Sequence, residues 1–296
     1  MNAVHGSSPS MSPELGRVIF TDLKATFSRP AVWVCIAVWF IQIGIFAYLI
    51  QFIGYQSLKS AGDPQSLVYA KIMRSQITVS GSGNQVLVSV PLFGLPVAVV
   101  VGAVLAAADH KARSLGLIVG RLRRRSTLTL ARCISILIVT GVMALSTVFL
   151  ALAAASIVGV VLGDSDSFDP SRFFAAAGAT WLALFAYASF GAALSYIFKG
   201  AMTGMLTAMG WMLGVEMLII GTLAKFVGFF AYIQHGLLST SVGSLSSALA
   251  DGNFPAENTP GVNAVNSGVM ALLVICIWII VSIAISIVVQ NRRDIT

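Results

Sequence analysis

In the apolar run GWMLGVEMLII, residues 210–220, the one ionisable side chain is Glu216. A charged group at that depth costs about 3 kcal/mol on insertion scales, so it must face protein, water or a proton. Lys225 does not meet the need on an ideal α-helix. It lies nine residues on, which at about 100° per residue is the opposite face and roughly 13 Å further along the axis. Glu216 therefore needs a partner on another helix, a water-filled cavity or a proton, and two roles are open to it: structural hydrogen bonding, or a direct part in substrate passage or gating. A second concentration of chemistry is RLRRRSTLTLAR, residues 121–132, which packs five arginines into twelve positions of a chain only 10% charged. Nucleic acid, anionic lipid and the inner face of a membrane beside a partner protein would each call for such a patch. The basic residues are divided among short loops between oily segments rather than spread over a polar domain, which argues against nucleic acid.

Other residue types point to no catalysis. His5, His110 and His235 fall in three separate regions without a carboxylate pattern around them. Cys35, Cys133 and Cys276 lie in or beside apolar segments, with neither metal-ligand spacing nor a disulfide framework. No phosphate-binding G-x-x-x-x-G-K-[ST] loop occurs. This chain is therefore expected to be no enzyme, with no catalytic residue, no metal and no cofactor of its own. His235 reads as a polar anchor near the outer interface, and Trp33, Trp181 and Trp278 as lipid or packing contacts rather than a cage.

Composition supplies the elements that must position these groups. Hydrophobic residues make up 57% of 296 and the mean hydropathy is +0.90, more apolar surface than one soluble core can hide. Crossing hydrocarbon takes about 20 apolar residues. Six segments qualify: 32–53, 86–108, 133–162, 173–198, 201–223 and 269–289. The third exceeds what a span needs and should tilt or project, and Pro91 and Pro96 should bend the second. The first apolar run is too long for a signal-peptide core and ends without a clear cleavage site. With the N-terminus inside, all but Lys59, Lys71, Arg74, Arg172 and Lys225 of the 18 basic residues fall on the inner side. Both termini are then cytoplasmic.

Residues 1–11 read as a disordered tail, and 12–296 as a single transmembrane domain. Residues 12–29 carry Ser12 as an N-cap, Pro13 in the first turn, and an apolar stripe of Leu15, Val18, Ile19, Leu23 and Phe27. Glu14, Arg17, Asp22 and Lys24 are read as lying off that stripe, which gives an amphipathic helix in the inner interface. The connection 54–85 is polar, with a short surface helix or strand in it. Segment 226–266 opens on FVGFFAYIQHGLL, apolar but too short to span, and so expected to be a re-entrant or interfacial helix pair. The remainder, rich in Ser, Gly, Asn and Pro, reads as loop. Gly200, Gly204 and Gly214 put small side chains on one side of the fifth span, suited either to packing within the subunit or to a dimer interface.

The lead helix, the six spans, the basic inner loop ADHKARSLGLIVGRLRRRSTLTLAR, the re-entrant region and the ending QNRRDIT together resemble permease subunits of type-2 ABC transporters. The likeness is closest to the branch for bacitracin or lantibiotic export and self-protection, and it covers nearly the whole chain. In such permeases this loop carries an acidic residue, a Gly-Thr-like pair, a short helix and a basic patch. Here Asp109 stands where Glu is usual, and Ser114-Leu115 or nearby residues replace the pair. The resemblance implies a coupling loop over 109–132, with Asp109, His110, Lys111, Arg113, Ser114, Arg121, Arg123, Arg124 and Arg125 toward an ATPase. It also implies two copies of a separate cytoplasmic ABC ATPase that hold the ATP and Mg, and a second permease chain, identical or related. An amphiphilic substrate, surrounding membrane lipids and a bacterial plasma membrane complete the expectation. An ion-coupled secondary transporter and a non-transporting assembly protein are the rival readings.

Overall fold

The computed structural model describes residues 12–111, 125–163, 167–250 and 259–292. Among them every regular element is helical, and six helices are long and apolar enough to cross a membrane: Pro30–Ala61, Val79–Ala107, Thr127–Leu162, Pro170–Phe198, Ala201–Leu223 and Gly268–Asn291. The chain is an all-α, multi-pass membrane protein. Spans two, three and four are the most buried, and spans one, five and six expose more of their apolar surface.

The centre of the bundle is the crossing of spans two and four. A Cβ at Gly102 would fall on the carbonyl of Ala188, and one at Gly191 would lie 2.6 Å from the carbonyl oxygen of Val99. Backbones that close leave no room for a side chain, and lipid offers no competing hydrophobic drive, so such contacts carry helix association. Buried Leu184, Tyr187, Leu105 and Val99 fill the space on either side.

Three π-helical stretches interrupt the spans: Ile43–Leu49 in the first, Val90–Gly94 in the second and Gly210–Ile220 in the fifth. Pro91 lies in the second of these, where the wider turn accommodates a residue that donates no backbone hydrogen bond. The third span belongs to one helix, Arg125–Leu162, 38 residues or about 57 Å long, well beyond a bilayer core.

The connection between spans one and two is more ordered than its polarity suggests. Span one stays helical to Ala61, Gly62 turns the chain in a left-handed conformation, and a surface helix follows over Pro64–Ile77. Of the expected helix or strand, the helix is what forms. Asp63 caps it by accepting from the backbone N–H groups of Ser66 (2.9 Å) and Gln65 (3.0 Å). These bonds, Ser66 first, hold the Asp63 carboxyl below its ordinary value. Capping is thus complete at neutral pH and is lost as acid protonates Asp63 through that lowered value. Asp169 caps span four in the same way through Ser171 and Arg172.

The segment after span five is a helical hairpin. Its first arm, Gly228–Gln234, exposes Phe229 and Tyr232, while its second, Leu238–Leu249, is buried among the spans. A helix pair does form, but all except the first residue of its second arm lies beyond the apolar stretch 226–238, in residues whose composition reads as loop. They are the most enclosed part of the region. Serine-rich helices fit there because small side chains admit close neighbours, and Ser246 returns its hydroxyl to the carbonyl of Val242 (2.9 Å).

The two glycine environments make opposite demands. Gly102→Ala should lower stability by about 3 kcal/mol or more, at the top of the range for overpacking. Gly214→Ala, with nothing within 4 Å of the added carbon, should change it by less than about 0.5 kcal/mol. Thermal unfolding of the purified variants in micelles checks both.

Candidate functional site

The end of the bundle that carries the lead helix is built around a buried ion pair. The lead helix, Ser12–Phe27, lies against the start of the third-span helix. There Arg132 Nη2 stands 2.8 Å from Asp22 Oδ1, both residues under a tenth exposed. Ser135 Oγ donates to Asp22 Oδ2 at 2.5 Å. The carboxylate thus spends both oxygens on the third span.

This corrects the reading of the lead helix. Asp22 does not lie off the apolar stripe. It follows Ile19 by three residues and Val18 by four, which on an α-helix is the same face. Asp22 and Thr26 are buried, Val18, Ile19, Leu23 and Phe27 are half-buried, and Phe20 faces outward. The helix is docked on protein along that face. An arginine counted as part of the basic loop turns out to be the anchor.

The loop residues themselves divide. Asp109, His110 and Lys111 close the helix Leu95–Lys111, and Arg125 opens the helix of span three. Arg113, Ser114, Arg121, Arg123 and Arg124 lie outside the described residues, as do Arg293, Asp294 and Ile295. The helices that flank the loop, Leu95–Lys111 and Arg125–Leu162, pack in the bundle, and the second is tied to the lead helix through Arg132.

Glu216 has its partners. It sits on the π-helical stretch of span five, 1% exposed. Its Oε1 accepts from the Trp211 indole N–H and its Oε2 from the backbone N–H of Ser239, each at 2.8 Å. A π-helix brings residues five apart into register, which is how Trp211 reaches Glu216 on the same helix. Ser239 lies in the first turn of the buried hairpin arm, where backbone N–H groups lack helical partners and the helix dipole favours an anion. Glu216 thus caps that arm from another span, while Lys225 is exposed. The hydroxyls of Tyr187 and Ser239, both buried, make no well-formed hydrogen bond.

A polar network continues from the hairpin to the start of span six. Asn266 Oδ1 is 2.6 Å from His235 Nδ1, and its Nδ2 donates to the carbonyl of His235 (3.0 Å) and to Ser241 Oγ (3.2 Å). Trp278 donates to the carbonyl of Gly236 (2.9 Å). Trp181 reaches Leu137 on span three and Trp33 the end of the lead helix, each through a backbone carbonyl. The three tryptophans are separate tethers. Among the described residues no group of three His, Cys, Asp or Glu could hold a metal ion.

The glycines of span five do different things. A Cβ on Gly204 would collide with Ser195 of span four, so Gly204 serves packing within the chain. Gly200 precedes the helix in an extended conformation. Gly214 and Gly210 face open space.

Removing one member of the ion pair leaves an uncompensated buried charge. Asp22→Leu or Arg132→Met alone should cost about 3–5 kcal/mol, and the two together should recover most of it. Denaturant unfolding of the four proteins in one detergent closes that cycle. At the other end, Glu216→Gln keeps one acceptor and turns an NH2 on the second donor. We expect a loss of about 2 kcal/mol, with Trp211 fluorescence shifted, in the same unfolding assay. No family model matches this chain, and no curated protein matches it.

Proposed function

We propose that this chain is the transmembrane subunit of an ATP-driven exporter. It forms half of a translocation path with a second copy or a related chain and couples to two copies of a separate cytoplasmic ABC ATPase. Its substrate is an amphiphile, such as a peptide antibiotic, a drug or a lipid, moved across a bacterial plasma membrane. Both termini lie on the cytoplasmic side, and ATP and Mg belong to the ATPase.

The observation that supports this reading most is the Asp22–Arg132 pair. An ATPase that pushes on loop 109–132 pushes on the foot of span three, and the buried pair hands the same displacement to the lead helix. Interior packing is stiff enough to transmit such a shift rather than absorb it. Export then follows from the spans changing their opening as the two ATPases close on nucleotide.

The ion-coupled alternative needs a carboxylate free to load and release an ion near the middle of the bundle. Glu216 is committed to two N–H donors, which disfavours it for that task.

The test begins with the tagged chain purified alone in mild detergent, followed by mass spectrometry and an ATPase assay. A co-purifying ATPase is expected, reduced at least tenfold when Arg113, Arg121, Arg123, Arg124 and Arg125 are replaced by Gln. In the Asp22→Asn variant the ATPase should still bind but lose its stimulation by substrate. Absence of any ATPase under several mild conditions would bring the secondary transporter forward.

A further inference from the structure

At the end of the bundle away from the lead helix, a cavity of about 310 Å³ opens between span one, the surface helix Pro64–Ile77 and span two. That volume is at the lower end for small-molecule sites. Two π-helical stretches meet in its wall, one contributing Phe46 and Ala47 and the other Phe93. Wide turns of this kind cost backbone hydrogen bonding and recur at functional sites. Phe46 and Phe93 stack with ring centroids 4.7 Å apart, and Met73 faces the same cavity. This is one apolar side.

The other side is amide. Gln85 is 97% buried, and its Nε2 donates to the carbonyl of Ala47 at 2.7 Å. That bond fixes which way the amide points and leaves Oε1 buried without a hydrogen-bond partner. Gln51, on the same wall, likewise has a buried Oε1 with no partner. Each orphan acceptor forfeits a hydrogen bond it would have in water, a standing cost that a ligand can remove. Among the described residues no Lys, Arg, Asp or Glu lines the cavity, so they offer a charged headgroup no counter-charge.

We propose that this cavity binds an uncharged amphiphile whose polar end carries hydroxyl or amide N–H donors for Gln51 and Gln85. Its apolar part lies along Phe46, Phe93 and Met73. The site stands independently of any ATPase, because all of its walls belong to this chain. A membrane glyceride and an exported neutral peptide share the required chemistry.

Binding of radiolabelled 1-monooctanoylglycerol to the full chain in nanodiscs tests the site, with unlabelled compounds as competitors. Saturable binding is expected, displaced by N-octanoylglycinamide but not by methyl nonanoate, which has no donor. Gln51→Leu, at a half-buried position, should weaken it about fivefold, the loss of one hydrogen bond. Met73→Trp, which fills the cavity, should abolish it in a protein that still elutes as one species. Tighter binding of the amide than of the glyceride points to peptide-like cargo, and the reverse order to lipid. Equal competition by the methyl ester, undiminished binding in Met73→Trp, or no saturable binding by either donor compound would overturn the proposal.

Discussion

Two opposite charges 2.8 Å apart, both out of reach of water, decide where the first helix of this protein lies. A carboxylate buried at the edge of hydrocarbon would be intolerable alone, and so would the guanidinium. Once they meet, separating them exposes both costs at once. The lead helix therefore cannot drift in the interface as a lipid-bound helix would. It belongs to the third span, and the third span is the stalk of the basic loop. The placement of that end of the molecule follows from this one contact.

The same constraint, met by a different device, organises the far end. Glu216 has no cation. It draws its two hydrogen bonds from an indole and from the open N-terminus of a buried helix. A π-helical turn makes the first possible, and the re-entrant hairpin the second. The hairpin in turn is fastened by Asn266 and Trp278 to span six. Neutral donors can hold a carboxylate as firmly as a charge can, because each N–H would otherwise go unpaired in a medium without water. An intramembrane carboxylate held in this way reads as architecture.

Hydropathy made the six spans legible, because twenty apolar residues have little else to do. It failed where burial is polar. Residues 239–249 look like a linker by composition, yet LSTSVGSLSSAL is a helix inside the bundle. Serine and glycine carry little apolar signal, while their size is what the site requires. Asp22 differs for a related reason: its charge points to an outward face, although its spacing from Val18 and Ile19 puts it on the packed side. The close crossing of spans two and four leaves no motif in the sequence either. Motif reasoning looks for two glycines four apart on one helix, whereas the crossing at Gly102 and Gly191 takes one from each of two. Glu216 was visible as a group in need of a partner, but Trp211 was not, since its five-residue spacing is useful only on a π-helix.

The Asp22–Arg132 pair, rather than lipid, holds the lead helix in place. Hydrogen exchange of the isolated chain in detergent, read over residues 16–27 in the native protein and in Arg132→Met, measures this directly. We expect slow exchange in the native chain even without a bilayer. In the variant it should accelerate at least tenfold there, with residues 30–61 unchanged. Equal protection in both proteins would contradict the account and return the lead helix to the membrane surface.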